Sequence, residues 1–251
     1  MQYIDPDNPK ASRNVGGPNR GGFDAKLSAL KRRLIREATM ATDMLERALD
    51  ALWRLDADEA RSIRRRDDRI DDEEVAIEEQ CYRLMTLEQP VARDFRVLAF
   101  ILRVNTDAER VADHASSIAK LTVKIAEGTP PGQCPTWPTA LQELGQRVPL
   151  LCHGLLRAVL DEDVDAARAI VAGDKTIDAL DKQLFREATQ LMQADPDQVP
   201  FGMLIYRIGR ELERVGDLMA GIAEDVVYLV TGEIIRHEKR RTPRDPATGA
   251  A

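Results

Sequence analysis

Residues 97–126 read VLAFILRVNTDAERVADHASSIAKLTVKIA. Val97, Ile101, Val104, Ala108, Val111, Ala115, Ile118 and Ile125 recur at helical intervals, which marks one apolar stripe on a long helix. Glu109 and Asp113 stand one position off that stripe. A second stretch has the same layout, with Ile205, Ile208, Leu212, Val215, Met219, Ile222, Val226 and Leu229 on the stripe and Glu213 and Asp217 beside it. A shift of 104 carries Glu109-Arg110-Val111 onto Glu213-Arg214-Val215, Asp113 onto Asp217 and Ile118-Ala119 onto Ile222-Ala223. The chain is an internal repeat, and this helix is its third member.

The preceding helices repeat as well. Ile63, Ile70, Ile77, Cys81 and Leu84 form the stripe of a second helix, for which Asp58 is a candidate cap. Ile170, Ile177, Leu184, Ala188 and Leu191 form that of a fifth. A shift of 107 takes Asp67 to Asp174, Ile70 to Ile177, Asp71 to Asp178, Glu74 to Asp181 and Ile77 to Leu184. The change of offset falls in the turn after Pro90, where deletions are tolerated. The first helix carries Leu27, Leu30, Leu34, Ala38, Ala41, Leu45, Ala48 and Leu52. The fourth carries Leu141, Leu144, Val148, Leu151, Leu155 and Ala158, with Pro149 inside it as an expected kink.

From Phe23 to Glu127 there is no glycine, and Pro90 is the only proline. Such a stretch cannot supply many hairpins. The expectation is an all-α protein of two tandem, pseudo-symmetric three-helix bundles, residues 23–127 and 139–237. The Gly- and Pro-rich segment 128–138 links them. Residues 1–22 and 238–251 read as a disordered extension and tail.

The 251 residues carry 36 Lys and Arg against 43 Asp and Glu, a net charge of −7, which argues against nucleic acid as the main partner. Aromatics make up only 4% of the chain, so the core must be aliphatic. Cys81, Cys134 and Cys152 are an odd set without CxxC spacing, as expected of reduced thiols in a cytoplasmic protein. No apolar run reaches the roughly 18–20 residues of a membrane span.

The acids are the informative departure from helical patterning. Asp67 and Glu74, and Asp174 and Asp181, interrupt the seams of the second and fifth helices. Asp71 and Asp178 lie one turn beyond Asp67 and Asp174. Glu109 with Asp113, and Glu213 with Asp217, are i,i+4 pairs about 6 Å apart along their helices. Clustered carboxylates repel, and their burial requires protons, arginines or cations. Arg110 and Arg214 are candidate ion-pair partners. The alternative is a metal cluster in each repeat, because bridging carboxylates hold ions roughly 3.5–4 Å apart. Candidate metal ligands are therefore Asp67, Asp71, Glu74, Glu109 and Asp113 in one repeat, and Asp174, Asp178, Asp181, Glu213 and Asp217 in the other.

His114 has no counterpart, since Leu218 takes its place in the second repeat, so it reads as a satisfied or surface histidine rather than a ligand. His153 and His237 stand alone. There is no Glu-x-x-His motif, P-loop or Rossmann glycine pattern, and Ser116 and Ser117 have no evident base. A carboxylate-bridged metalloenzyme and a purely structural helical scaffold stay open as alternatives to a regulatory binding protein.

Gln89-Pro90-Val91-Ala92-Arg93-Asp94-Phe95-Arg96, followed by Glu109-Arg110-Val111-Ala112-Asp113, resembles the first hallmark of the PhoU family. Glu211-Leu212-Glu213-Arg214-Val215-Gly216-Asp217 resembles its second, the ERIGD element. Gly22-Phe23-Asp24 is similar to the family's usual start, and Thr231-Gly232-Glu233 with Arg236-His237 to its usual end. The resemblance spans about residues 22 to 237. It implies a non-enzymatic cytoplasmic regulator whose E/DxxxD pairs hold iron or zinc clusters. It further implies a homodimer that acts beside the phosphate ABC transporter ATPase and the phosphate-sensing histidine kinase, associated peripherally with membrane complexes and repressing uptake and signalling. Ala112 departs from the glycine found at Gly216; a small residue is kept, so close helix approach is expected to survive. The ten acids carry −10, leaving the rest of the chain at +3.

Overall fold

The computed structural model describes residues 20–64, 68–130 and 132–235. Within them the chain is all helical: α1 (Arg20–Arg54), α2 (Ala57–Arg64), α3 (Asp68–Glu88), α4 (Arg93–Gly128), α5 (Thr139–Asp161), α6 (Val164–Ala194) and α7 (Val199–Thr231). A single 3-10 turn, Pro196–Gln198, precedes α7. The predicted second helix is thus described as two segments, α2 and α3, on either side of residues 65–67. The expected extension and tail lie in whole or in large part outside the described residues, as do Asp67, Arg236 and His237.

α1, α2, α3 and α4 form one bundle, and α5, α6 and α7 form the other. The two meet where α4 packs on α7 and α1 on α5. One aliphatic core runs through both, from Leu45, Leu52, Ile63 and Ile101 to Leu144, Leu184 and Ile205, all fully buried. No helix among the described residues is long and apolar enough to cross a membrane.

The turns show the repeat atom by atom. After α1 the backbone turns left-handed at Leu55 (φ 52°), and Asp56 Oδ1 then accepts the Glu59 amide at 2.9 Å. After α5 it turns left-handed at Glu162 (φ 50°), and Asp163 Oδ1 accepts the Ala166 amide at 3.0 Å. These positions are related by the same shift of 107, which therefore extends back into α1 and α5. Asp56, not Asp58, caps α2. Asp58 stands inside the first turn, where its charge faces the positive end of the helix.

A small residue sets the spacing of α7 on α6. Gly216 packs against Ile177 of α6, where a Cβ would stand 3.0 Å from Ile177 Cγ2. Its counterpart Ala112 is fully buried in α4. α5 remains one helix through buried Pro149. α7 ends at Gly232, whose positive φ of 76° closes the C-terminus as its amide donates to the Tyr228 carbonyl at 2.8 Å.

Candidate metal centres

The first centre lies between α3 and α4. Asn105 Nδ2 donates to the Glu74 carbonyl at 3.0 Å and so fixes α3 against α4 one turn before Glu109. Asp71 and Glu74 then face Glu109 and Asp113. Burial, and after it the charges of Asp113, Glu74 and Asp71, push the Glu109 carboxyl up to about 7. Four of the five acids predicted for this repeat thus act on one another. Asp67 lies outside the described residues.

A further acid belongs here that the apolar pattern passed over. Glu37 of α1 is 0% exposed, and neither of its carboxylate oxygens has a hydrogen-bond partner. Burial, followed by repulsion from Glu74, Glu73 and Glu109, raises its carboxyl to about 8, with Arg33 opposing the shift. Arg33 is committed elsewhere: Nε and Nη2 donate to the two oxygens of Glu73 at 2.7 and 2.8 Å, and Nη1 to Gln80 at 3.2 Å. The signal was present in the sequence, since Glu37 stands three residues after Leu34 and four before Ala41, on the stripe itself.

The second centre lies between α6 and α7. Asp174, Asp178 and Asp217 each offer a carboxylate oxygen, and these atoms lie within 4.8 Å of one another. Burial, then Asp178, Asp217 and Glu224, raise the Asp174 carboxyl, and burial followed by Asp178 raises that of Asp217. Glu224, two turns beyond Asp217, is a second acid the motif search missed. Asp181 and Glu213 flank the trio but are bridged by Arg210, whose Nη1 lies 3.3 Å from Asp181 Oδ2 and 2.9 Å from Glu213 Oε1. Burial and Asp217 raise Glu213 against the pull of Arg210. Asp181 Oδ1 and Glu213 Oε2 are buried without a hydrogen-bond partner.

The arginines next to the motif glutamates do not pair with them. Arg110 reaches back to Asp107 at 3.7 Å and Arg214 to Glu211 at 3.6 Å, one turn earlier in each helix. A residue adjacent in sequence points about 100° away on a helix, whereas i,i+3 neighbours share a face. His114 is satisfied as expected: its Nδ1 lies 2.7 Å from Glu211 Oε2, joining α4 to α7. His153 is not isolated, for its Nε2 lies 2.8 Å from Glu46 Oε1 across the α1–α5 contact.

The donor chemistry of both centres is carboxylate oxygen, which suits hard or borderline divalent cations. In these centres the buried carboxylate oxygens lacking partners belong to Glu37, Asp181 and Glu213, while Asp174, which is half-buried, Asp217, which is exposed, and Asp178 form a trio that could hold an ion.

The PhoU domain model matches residues 34–122 and again residues 141–226, once over each repeat. The chain belongs to the PhoU family. It is 32% identical to the phosphate-specific transport system accessory protein PhoU homolog of Pseudomonas aeruginosa, over 86% of this chain and 88% of that one. The crystal structure of PhoU from Pseudomonas aeruginosa superposes with a TM-score of 0.80 at 31% identity, covering 84% of this chain and all of the other. That of the phosphate transport system regulatory protein PhoU from Streptococcus pneumoniae does so with a TM-score of 0.76 at 30% identity, covering 85% and 99%. PhoU proteins are regulatory and not enzymes, which removes the metalloenzyme from the readings left open by the sequence.

Proposed function

We propose that this chain is a cytoplasmic accessory protein of a phosphate-specific transport system, restraining phosphate import and phosphate signalling when phosphate is plentiful. The observation that carries this reading is the doubled PhoU domain match, together with relatives of that name aligned over nearly their whole length. Its partners on this reading are the transporter's ATPase and the phosphate-sensing histidine kinase, met at the membrane by a homodimer. The acidic pairs of α3 with α4 and of α6 with α7 hold iron, zinc or similar ions. Such ions would neutralise the clustered carboxylates and tie the two helices of each pair together. The chain's own residues supply the rest: Asn105 sets α3 on α4, and Gly216 lets α7 approach α6.

The test is a deletion strain grown in excess phosphate. Loss of the gene should raise phosphate uptake and derepress a kinase-dependent reporter, and the intact chain should restore both to the repressed level. Unchanged uptake and reporter output in the deletion strain would refute the regulatory assignment. Asp174→Asn with Asp178→Asn and Asp217→Asn should lose bound metal by elemental analysis after gentle purification; retained metal would place the ions elsewhere.

A further inference from the structure

The two centres are built on the same helices yet differ in charge. Glu37 occupies a core position of α1, and its counterpart under the shift of 107 is Leu144 of α5, also fully buried. A repeat that needs only packing at this position uses leucine. The first repeat instead places there a carboxylate that is 0% exposed, has no hydrogen-bond partner on either oxygen and acts on Glu74 and Glu109. Hydrophobic burial does not explain this, because a charge without a partner in a core is costly. The nearby cation, Arg33, spends its hydrogen bonds on Glu73 and Gln80.

The second centre gains an acid of its own, Glu224, where the shift of 104 gives Lys120, but it also gains a cation. Arg210 lies among its carboxylates and touches both Asp181 and Glu213, while its counterpart under the shift of 104 is Thr106. An ion entering there competes with a fixed guanidinium for the same oxygens.

We propose that Glu37 reaches from α1 to serve as a further ligand of a divalent-cation site with Asp71, Glu74, Glu109 and Asp113, and that this site binds more tightly than the Arg210-bearing site of the second repeat. The inference rests on the reading of the acidic pairs as metal sites. It goes beyond that reading in adding a helix and a residue to one centre and in ranking the two.

Titration of chelator-treated protein with Mn2+, with free ion counted by electron paramagnetic resonance, separates the possibilities. The wild type should show a tight class and a weak class of site. Glu37→Met should weaken the tight class at least about tenfold and leave the weak class in place, since removing one charged ligand from a desolvated site forfeits roughly 1.4 kcal/mol or more. Glu37→Gln, which keeps the shape and loses the charge, should weaken it as well. Arg210→Met should tighten the weak class without moving the tight one. Unchanged tight binding in both Glu37 variants, with that class abolished by Asp113→Asn, would overturn the role of Glu37 and leave the metal reading standing. Binding of no Mn2+ by the wild type would overturn both.

Discussion

Replacing Glu37 by methionine should stabilise the metal-free protein, by an amount that the structure sets. The carboxyl is raised from 4.5 to about 8 in the fold. A carboxyl raised in this way costs nothing below its unfolded value, where it is neutral in both states. As pH climbs from 4.5 to about 8 the unfolded chain ionises first, so folding becomes less favourable at each step, and the loss levels off above 8. At 1.36 kcal/mol per pKa unit, the penalty is on the order of 3 kcal/mol at pH 7 and below about 1 kcal/mol at pH 5. Methionine has a similar length, carries no charge and adapts to irregular core space. In a domain of this size about 3 kcal/mol corresponds to a rise of roughly 6–12 °C in melting temperature.

The assay is urea or thermal unfolding of chelator-treated wild type and Glu37→Met across pH 5 to 8, followed by circular dichroism. The difference between the two proteins should grow steadily with pH. A methionine variant no more stable than wild type at pH 7 would mean that Glu37 is not a buried carboxylate lacking a partner. A difference that did not shrink towards pH 5 would assign the gain to packing instead of charge.

Three further outcomes follow from the packing and the pairs. Asp56→Ala and Asp163→Ala should each cost about 1 kcal/mol by urea denaturation, and the double variant should cost their sum, because each removes one N-cap at equivalent but distant turns. Gly209→Val should destabilise by on the order of 2–3 kcal/mol, since even a Cβ there would meet Leu184 Cδ2 at 2.1 Å in a fully buried contact; Leu184→Ala in the same chain should recover part of the loss. His114→Leu, which installs the second-repeat residue, should cost about 1 kcal/mol near neutral pH. The hydrogen bond from His114 holds the Glu211 carboxyl below its ordinary 4.5, so that contribution is present above 4.5 and lost as pH falls through the depressed value. In the variant the Glu211 carboxyl resonance should titrate at higher pH, and an unmoved titration would detach Glu211 from His114.

Much of this was legible before any coordinates, for a physical reason. Long helices leave a period of three and four residues in the sequence, and duplication writes it twice, so the stripes of α4 and α7 predict each other. The acids on those helices were visible because Glu109 and Asp113 recur as Glu213 and Asp217. What the sequence concealed was whatever breaks the duplication. Glu37 and Arg210 have no like residue in the other repeat, and a search for recurrence discards such positions. Asp58 has the side chain of a cap, but the left-handed turn at Leu55 puts Asp56 before the first helical amide. Arg110 and Arg214 do form ion pairs, but with Asp107 and Glu211, because adjacency in sequence is not adjacency on a helix.

The unmatched residues carry the sharper implication. Each centre holds one acid that the other repeat lacks, Glu37 in the first and Glu224 in the second, and only the second has the guanidinium of Arg210 bridging its carboxylates. That guanidinium separates sites built from otherwise equivalent helices. At the position of Glu37 the fold favours leucine, as Leu144 shows, and about 3 kcal/mol of stability is forgone in the metal-free state at pH 7. A ligand that binds only the folded protein offsets such a loss by RT ln(1 + [L]/Kd), which reaches about 2.7 kcal/mol at 100 times Kd. If Glu37 is a ligand, saturating metal narrows the gap between wild type and Glu37→Met by RT ln of the ratio of their dissociation constants, about 1.4 kcal/mol for a tenfold ratio. The methionine variant should therefore melt higher in chelator, and its advantage should shrink by at least that amount in saturating Mn2+. A gap that narrows with metal requires that the carboxylate be both a burden when empty and a contact when filled. Parallel curves at all metal concentrations would show that Glu37 is only a burden.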